Sequence, residues 1–347
     1  MKETTGRISF YDNLKFILIL LVVIGHLLQY QLDSSYAKGI FLFIYSFHMP
    51  LFIFVTGFFA KKIISGPADK RMNKIISYLL IYLIFKILIL LFQRFVIRQP
   101  YSLSLLVVDD SPWYLLATII WIILVTITKT IKPRYMFIFS VICCLFIGYE
   151  SNITDQFALS RVFVFFPFFL LGYYLTSNQL ISFINKLHEK KINIILALII
   201  LAAIFTLFML FGNELYFVRG LLTARNPYVS LEIPFNIPLA GMFLRLIWII
   251  YNIFIAIIIF TLIPRRKLFI TKLGSRTLQV YVLQYFVTHI LNYSFISVML
   301  KNIFGDYIVF ALILLGIIIT LILSLKIFGK PVNKIMSLNY QKLYKTT

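Results

Sequence analysis

The sequence predicts an all-α fold, a polytopic transmembrane helical bundle of about ten helices with both termini in the cytoplasm. Three observations predict it. Hydrophobic residues make up 61% of the chain and charged residues only 13%, well below the roughly 25% that is typical of a soluble domain. Apolar runs of spanning length recur from residue 14 to residue 327, and Lys and Arg concentrate in alternate loops. We therefore expect one integral membrane domain over residues 1–347 and no large soluble domain.

The individual elements follow from the apolar runs, because a spanning helix needs about 20 mostly apolar residues. The fourth and fifth runs are short and share a tight connection. No small-residue cleavage site follows the first run, so we predict a retained helix rather than a signal peptide. The predicted spans cover residues 14–32, 40–60, 75–97, 113–129, 135–149, 159–177, 192–212, 240–263, 277–299 and 307–327.

The orientation follows from the positive charges, because cytoplasmic loops of membrane proteins carry an excess of Lys and Arg. With the N-terminus inside, the inner segments hold 24 of the 33 basic residues, and the outer segments and helix ends hold 8. This alternation also explains the net charge of +21 without a nucleic-acid partner. The predicted location is the cytoplasmic membrane, with membrane lipids as partners.

The cysteine count predicts neither a disulfide framework nor a metal site. The two residues, Cys143 and Cys144, are adjacent inside an apolar run. Buried apolar thiols stay protonated and inert, which disfavours an acyl-carrier role. We predict no bound metal and no resident cofactor.

Two histidines in the first two spans are the strongest functional candidates, because ionisable groups inside a membrane are costly and usually functional. His26 lies about 18 Å from the inner boundary of its span, and His48 about 12 Å from the outer boundary of the next. In a core about 30 Å thick these depths coincide, so the two imidazoles could share a site. A neutral imidazole can then act as a general base on a hydroxyl group. The alternative is a pair of structural contacts between helices.

Three further buried candidates have competing interpretations. Lys86 lies inside a helix and either reaches the interface, meets a carbonyl group or has a function. We favour a structural role for His289, because nothing in the sequence pairs with it. Arg245 lies about 8 Å below the outer end of its span, so it needs a partner or a water-filled cavity.

Other charged candidates lie at the helix ends. Asp12 and Lys15 are three residues apart on one face at the inner end of the first span, and a capping carboxylate beside an interfacial lysine is the alternative interpretation. Arg161 lies near an outer helix end, where an interfacial anchor is the alternative.

Two motifs in the first sixty residues carry a family resemblance. The first runs from Arg7 to Lys15 (RISFYDNLK) and continues, after ten residues, with Gly25-His26. The second is Phe47-His48-Met49-Pro50-Leu51-Phe52 with Thr56-Gly57. They resemble the acyltransferase-three membrane proteins, in particular the fucose 4-O-acetylase-like branch with its FHMPLFF…SG segment. Weaker matches are Ser111-Pro112-Trp113-Tyr114-Leu115, Ser160-Arg161, Phe166-Pro167-Phe168-Phe169, Gly172, Leu273-Gly274, Thr277-Leu278 and Tyr281.

The resemblance implies a chemistry and a set of site residues. Members of the family transfer acyl groups, usually acetyl from acetyl-CoA, to hydroxyl groups of cell-surface carbohydrates. The histidine eleven positions after a basic residue is the catalytic one, which corresponds to His26 after Lys15, and His48 matches the histidine of the second motif. We expect Asp12 and Lys15 on the acetyl-CoA side. The acceptor-side residues we expect are Arg161, Arg245 and Trp113.

Two positions depart from the family pattern. Many relatives have arginine where this chain has Lys15, which replaces a planar fork by a point charge. The ninth helix often reads Tyr-x-x-His, whereas here Tyr281 is followed by Gln284.

The predicted function is therefore a membrane O-acyltransferase, and specifically an O-acetyltransferase that uses acetyl-CoA. The acceptor would be a sugar of a capsule, an exopolysaccharide or a wall polymer, and a lipid-linked form is an open alternative, as is a succinyl donor. A transporter or flippase for a glycan or lipid-linked sugar is the first rival, and a non-enzymatic scaffold is the second. Discontinuous helices and an inverted repeat would favour transport, and the sequence indicates neither.

Overall fold

The computed structural model describes residues 9–101, 103–108, 111–231, 233 and 239–340. These residues form helices, and the β contact among them is one isolated bridge between Val107 and Gln156. The α-helices are α1 (Ser9–Leu28), α2 (Ser35–Ile64), α3 (Ala68–Phe92), α4 (Trp113–Ile127), α5 (Pro133–Phe146), α6 (Leu159–Tyr174), α7 (Ser177–Leu187), α8 (Lys191–Leu210), α9 (Arg219–Thr223), α10 (Ala240–Leu262), α11 (Phe269–Leu273), α12 (Thr277–Tyr293), α13 (Phe295–Phe304), α14 (Ile308–Leu323) and α15 (Lys326–Ser337).

The structure agrees with the predicted fold class, since the described residues form a bundle of helices, many of them apolar. In the described part of the chain, five helices are long and apolar enough to cross a membrane alone: α1, α2, α8, α10 and the segment 68–97 that begins with α3. Three bent pairs could each form one span, and α4 and α5 are shorter apolar helices. Each predicted span coincides with one of these units. The count of ten stays a prediction, because α4 rises only about 22 Å, whereas the hydrocarbon core is about 30 Å thick. The orientation also stays a prediction.

Three of the predicted spans are broken, which the sequence analysis did not expect. The chain bends by 94° between α6 and α7, by 65° between α12 and α13, and by 58° between α14 and α15. The cause is amphipathicity in the second helix of the pair. In α15, Lys326, Lys330 and Lys334 follow one another at four-residue spacing on one face. A helix with one charged face is stable along a membrane surface. The chain therefore bends where the apolar helix ends and the amphipathic helix begins.

Two glycines allow α2 and α6 to cross closely. Gly57 of α2 lies against the backbone carbonyl of Phe169, and Gly172 of α6 lies against the carbonyl of Phe54. A Cβ atom on either glycine would collide with those carbonyl oxygens. Small residues at such a crossing allow two backbones to approach closely inside a membrane. Both glycines belong to the motifs identified in the sequence.

Pro50 connects α2 to α10 at the level of the candidate site. Proline has no amide hydrogen, so the carbonyl of Ser46, one turn earlier, loses its helical donor. Trp248 Nε1 donates to that oxygen at 2.9 Å, and Asn252 Nδ2 donates to it at 3.1 Å. Both side chains are buried on α10. The FHMP motif thus fixes α10 against the part of α2 that carries His48.

Candidate active site

One cavity, hereafter the outer cavity, opens among the helices at the end where the predicted outer segments meet. Its volume is about 790 Å³. On the helices its wall includes Val22, Met49 and Phe165. The loop side of the wall, hereafter the mouth, comes from Thr154, Asp155 and several of the residues 216–231. Three of the four histidines of the chain line it. A space of this size, with convergent polar groups, is the expected form of a small-molecule site.

His26 faces the outer cavity from the last turns of α1, and its tautomer is set by Gln284. The imidazole Nδ1 atom is 2.9 Å from Oε1 of Gln284, which is fully buried on α12. Nε2 of the same amide donates to the carbonyl oxygen of Tyr281 at 3.4 Å. The amide therefore presents an acceptor to His26, so Nδ1 carries the proton and Nε2 keeps a lone pair. The residue that departs from the family pattern is thus the partner of His26.

His48 lines the same cavity from α2. Its side chain is buried, and Nδ1 donates to the carbonyl oxygen of Ile44 at 2.8 Å. The ring of Tyr45 packs edge-on against it, with a centroid distance of 4.8 Å. Nδ1 of His48 therefore carries the proton, and Nε2 keeps its lone pair. The structure therefore brings together the two imidazoles that the depth argument placed at one level.

His289 is a third imidazole in the wall, although the sequence favoured a purely structural role. Its Nδ1 atom donates to the carbonyl oxygen of Tyr285 at 2.8 Å, and its Nε2 atom accepts from the hydroxyl of Tyr30 at 3.1 Å. Tyr30 follows His26 by four residues and His289 follows Gln284 by five, so this pair lies about one helical turn outward. The polar residues of α1 and α12 have similar spacings along their helices. These spacings predict the contact between Tyr30 and His289 only when α1 and α12 are known to be neighbours.

Arg161 lines the outer cavity, within a charged cluster. Its Nη2 atom is 2.9 Å from Oδ1 of Asp155, and it also donates to the carbonyl oxygen of Val108. Arg225 donates to the other carboxylate oxygen through Nε at 2.8 Å and Nη2 at 2.6 Å. The Arg161 guanidinium lies 5.0 Å from the ring centroid of Trp113. Trp113, predicted on the acceptor side, lines the cavity as well.

Arg245 does not line the outer cavity. It is buried in the wall of the bundle, with its guanidinium 5.5 Å from the ring centroid of Tyr228 and 5.8 Å from that of Trp248. Burial raises the pKa of the Tyr228 phenol to about 12, so the hydroxyl stays protonated and donates to the carbonyl oxygen of Leu145 at 2.9 Å. The predicted depth of Arg245 gave no information about the face on which it lies. Its Nε and Nη1 atoms are buried and have no hydrogen-bond partner among the described residues.

Asp12 and Lys15 form an ion pair at the opposite end of α1. Lys15 Nζ is 2.8 Å from Oδ1 of Asp12 and lies 5.0 Å from the ring centroid of Phe59. The two residues lie outside the outer cavity. Eleven residues separate Lys15 from His26, which corresponds to about 16 Å of helix. The pair therefore lies at the opposite end of the bundle from the outer cavity.

Two remaining candidates have structural partners. Lys86 is buried on α3, and its Nζ atom donates to the carbonyl oxygen of Val107 at 3.1 Å, which is the carbonyl contact that the sequence analysis considered. The thiol of Cys144 is buried and donates to the carbonyl oxygen of Val164 at 3.3 Å. Neither residue lines the outer cavity.

Comparison with known proteins identifies one family model and two similar proteins. A family model described as "Acyltransferase domain" matches residues 8–328. Nodulation protein NolL of Mesorhizobium japonicum is 30% identical over 236 residues, which covers 63% of this chain and 60% of that protein. Nodulation protein NolL of Sinorhizobium fredii is 46% identical over 54 residues, 14% of this chain and 15% of that protein. No solved structure matches the chain.

The family match includes both histidine motifs apart from Arg7, the helices α1 to α14, the first three residues of α15, and every residue of the outer cavity. It extends over far more than half of the sequence. On this basis the chain belongs to the acyltransferase family of membrane proteins that its two N-terminal motifs resemble.

Proposed function

We propose that the protein is a multi-pass O-acetyltransferase of the cytoplasmic membrane that moves an acetyl group from acetyl-CoA to a hydroxyl of a cell-surface carbohydrate. The observation that carries the proposal is the state of His26. The imidazole lines a cavity large enough for a sugar, while Gln284 fixes the proton on Nδ1 and so leaves the lone pair on Nε2. Deprotonation of a hydroxyl nucleophile requires that arrangement.

The donor side of the proposal rests on α1. Acetyl-CoA approaches from the cytoplasm, where the ammonium group of Lys15 attracts its phosphates and Asp12 holds that lysine in place. The pantetheine arm then carries the thioester along α1 toward His26. Val22, between these two levels, lines the outer cavity. The thioester therefore meets the acceptor at the innermost part of that cavity.

The transfer step balances without a cofactor. His26 Nε2 takes the proton of the acceptor hydroxyl while the hydroxyl oxygen attacks the thioester carbonyl carbon. The carbon–oxygen bond forms, the carbon–sulfur bond breaks, and the imidazolium returns the proton to the departing thiolate to give CoA and the O-acetyl ester. A positioned base of this kind contributes roughly 10²- to 10⁴-fold in rate.

The tautomer of His48 limits what it contributes. Because Nδ1–H is used by the Ile44 carbonyl, neutral His48 offers a lone pair and cannot donate to an oxyanion. It therefore accepts a hydrogen bond from the acceptor and orients it. A candidate donor to the oxyanion is the hydroxyl of Tyr281, which is buried in the cavity wall beside the backbone of Tyr114.

The acceptor side consists of aromatic and arginine side chains. Trp113 and Arg161 offer a flat face and charged donors, a combination that suits a carbohydrate ring with several hydroxyl groups. Capsule, exopolysaccharide and wall-polymer sugars all meet this description, free or attached to a lipid carrier. Arg245 is not included, because it lies behind the wall.

The direct test replaces His26. His26→Ala in a strain that lacks the chromosomal copy should lower the O-acetyl content of the surface glycan at least about 100-fold. The purified variant should no longer consume acetyl-CoA in the presence of acceptor. Tyr281→Phe should lower kcat in the same assay and leave KM for acetyl-CoA unchanged.

His188→Gln is the matched control, because this imidazole lies at the other end of the bundle against the carbonyl oxygen of Phe260 (3.1 Å) and does not line the outer cavity. It should acetylate normally. Wild-type acetylation by a His26→Ala protein that is present in the membrane at normal levels would exclude His26 as the base.

A further inference from the structure

The mouth of the outer cavity holds a cation that the proposed transfer step does not use. Arg219 is the first residue of α9 and lines the cavity. Its guanidinium lies 5.9 Å from the ring centroid of Phe41 and 5.7 Å from that of Tyr216. These rings hold the side chain at the wall with its polar edge available, since aromatic faces bind a guanidinium through its plane.

The charges around Arg219 are not balanced. Asp155 is the acidic residue of the described cavity wall, and its two carboxylate oxygens are bonded to Arg161 and Arg225. Within the described residues, no carboxylate forms an ion pair with Arg219. Among the described residues, two of the three arginines at this site thus share one carboxylate, and the third has none.

A second cation lies beside the same ring. Lys38 Nζ is 5.2 Å from the ring centroid of Tyr216, and its hydrogen-bond partner, Oδ1 of Asn213 at 3.1 Å, is neutral. Lys38, which lies outside the lining of the cavity, and Arg219 thus both contact the ring of Tyr216, and among the described residues neither forms an ion pair there. Like charges brought together in this way repel one another, and an anionic ligand at this position relieves the repulsion.

The position of this cation pair relative to the proposed reaction centre is set by α2. Phe41 precedes His48 by seven residues, which corresponds to about 10 Å along the helix. Between them the ring of Tyr45 stacks on Phe41 with a centroid distance of 3.9 Å and meets His48 at 4.8 Å. A continuous aromatic wall thus leads from Arg219 to the histidines, and its length suits a short oligosaccharide.

We propose that the acceptor is an anionic glycan, and that Arg219, with Lys38, binds a carboxylate or phosphate group about 10 Å from the hydroxyl that receives the acetyl group. The inference rests on the proposed transfer function and adds the substrate class. The guanidinium fork matches both oxyanion types, because each offers two oxygens to a planar pair of donors.

The test uses the full chain in lipid nanodiscs, labelled acetyl-CoA and the surface glycan of a strain that lacks the protein. The glycan is offered untreated, with its carboxylates reduced to alcohols, or with its phosphates removed enzymatically. We expect one of the two treatments to lower kcat/KM for the wild-type protein at least about tenfold, the factor expected for a hydrogen bond to a charged group. The effective treatment identifies the anion. Equal rates with all three glycans would overturn the inference.

Single substitutions show which residues cause the preference for the untreated glycan. Arg219→Gln should reduce the preference for the untreated glycan at least about tenfold, and Lys38→Gln should reduce it in part. Lys301→Gln is the matched control, since this exposed outer lysine pairs with Asp33 at 3.5 Å away from the cavity and should leave the preference intact. A preference that survives in Arg219→Gln would remove Arg219 from the site.

A binding measurement separates this inference from the proposed function. His26→Gln protein is titrated with the same three glycans, so that no transfer is needed. If no glycan is ever acetylated but the effective treatment and Arg219→Gln both weaken binding, the anion site stands and the transfer function fails. If transfer proceeds but neither transfer nor binding responds to the charge of the glycan, the transfer function stands and the anion site fails.

Discussion

Each histidine of the outer cavity uses its Nδ1 atom for a partner on the protein. The partners are the amide of Gln284 for His26 and backbone carbonyl oxygens for His48 and His289. Backbone carbonyls are fixed by their helices, whereas a side-chain amide can be exchanged without changing the backbone. The tautomer of His26 is therefore the one that a single substitution can release.

Gln284 should act as a positioning residue for His26. Gln284→Met keeps the volume of the side chain but removes the acceptor, so the imidazole can adopt either tautomer and rotate. We expect kcat to fall at least about tenfold, which is part of the 10²- to 10⁴-fold that a general base provides, with KM for acetyl-CoA unchanged. Gln284→Glu retains an acceptor at the same distance and should recover most of the rate.

The measurement is a steady-state assay of both variants at equal membrane content. A role in folding alone would lower the amount of protein in both variants and leave kcat per molecule unchanged. Equal kcat for Gln284→Met and the wild type would contradict the positioning role.

The sequence could predict part of this site for a simple physical reason. Helix rise is constant, so the shared level of His26 and His48 follows from counting residues. Rotation about the helix axis and the identity of neighbouring helices do not follow from counting. The partner of His26 lies 258 residues away in the sequence, and Arg245 points into the wall rather than the cavity. Both facts depend on packing.

At the level of elements, α2 organises the site. It carries His48, crosses α6 at two glycines and receives α10 at the carbonyl left free by Pro50. Apolar length identified the spans correctly as helices, but it could not locate the breaks after α6, α12 and α14. Those breaks depend on amphipathic faces of ten to twelve residues, which a count of apolar residues averages away.

The crossing of α2 and α6 leads to a prediction about stability. Gly172→Val places a branched side chain against the carbonyl of Phe54, which belongs to a helix backbone and cannot rotate away. Overpacking of this kind costs about 1–3 kcal/mol or more. We expect a lower apparent Tm in detergent and a loss of acetylation, because α2 carries His48. The measurement is a thermal scan of the purified protein.

Ala203→Val is the control for this substitution, since Ala203 lies on the exposed face of α8, where the same branched side chain is introduced without an opposing backbone. Its Tm should equal that of the wild type. An unchanged Tm for Gly172→Val would mean that the two backbones can separate at little cost.

At the scale of the whole molecule, the contacts group the loops into two ends. At one end Asn13 Nδ2 donates to the carbonyl of Arg266, Lys74 to that of Met336 and Arg276 to that of Ser324. At the other end Arg225 pairs with Asp155, and Lys38 bonds Asn213. These two sets coincide with the segments predicted as inner and outer from the Lys and Arg counts. The alternation that the sequence predicted is therefore compatible with the packing.

The absolute orientation can be tested at the two ends of α5, which is one of the two shorter apolar helices. With the turn that follows it, α5 covers about 17 residues and rises about 25 Å, slightly less than the hydrocarbon core. Single cysteines at Lys129 and Ser151, both exposed, are placed in a background without Cys143 and Cys144. A membrane-impermeant maleimide should label Ser151→Cys in intact cells and Lys129→Cys only after permeabilisation, because basic segments stay in the cytoplasm. The cysteine-free parent serves as the blank.

The reverse labelling pattern would invert the orientation and place the outer cavity on the cytoplasmic side. Labelling of both positions from outside would mean that α5 does not cross the membrane.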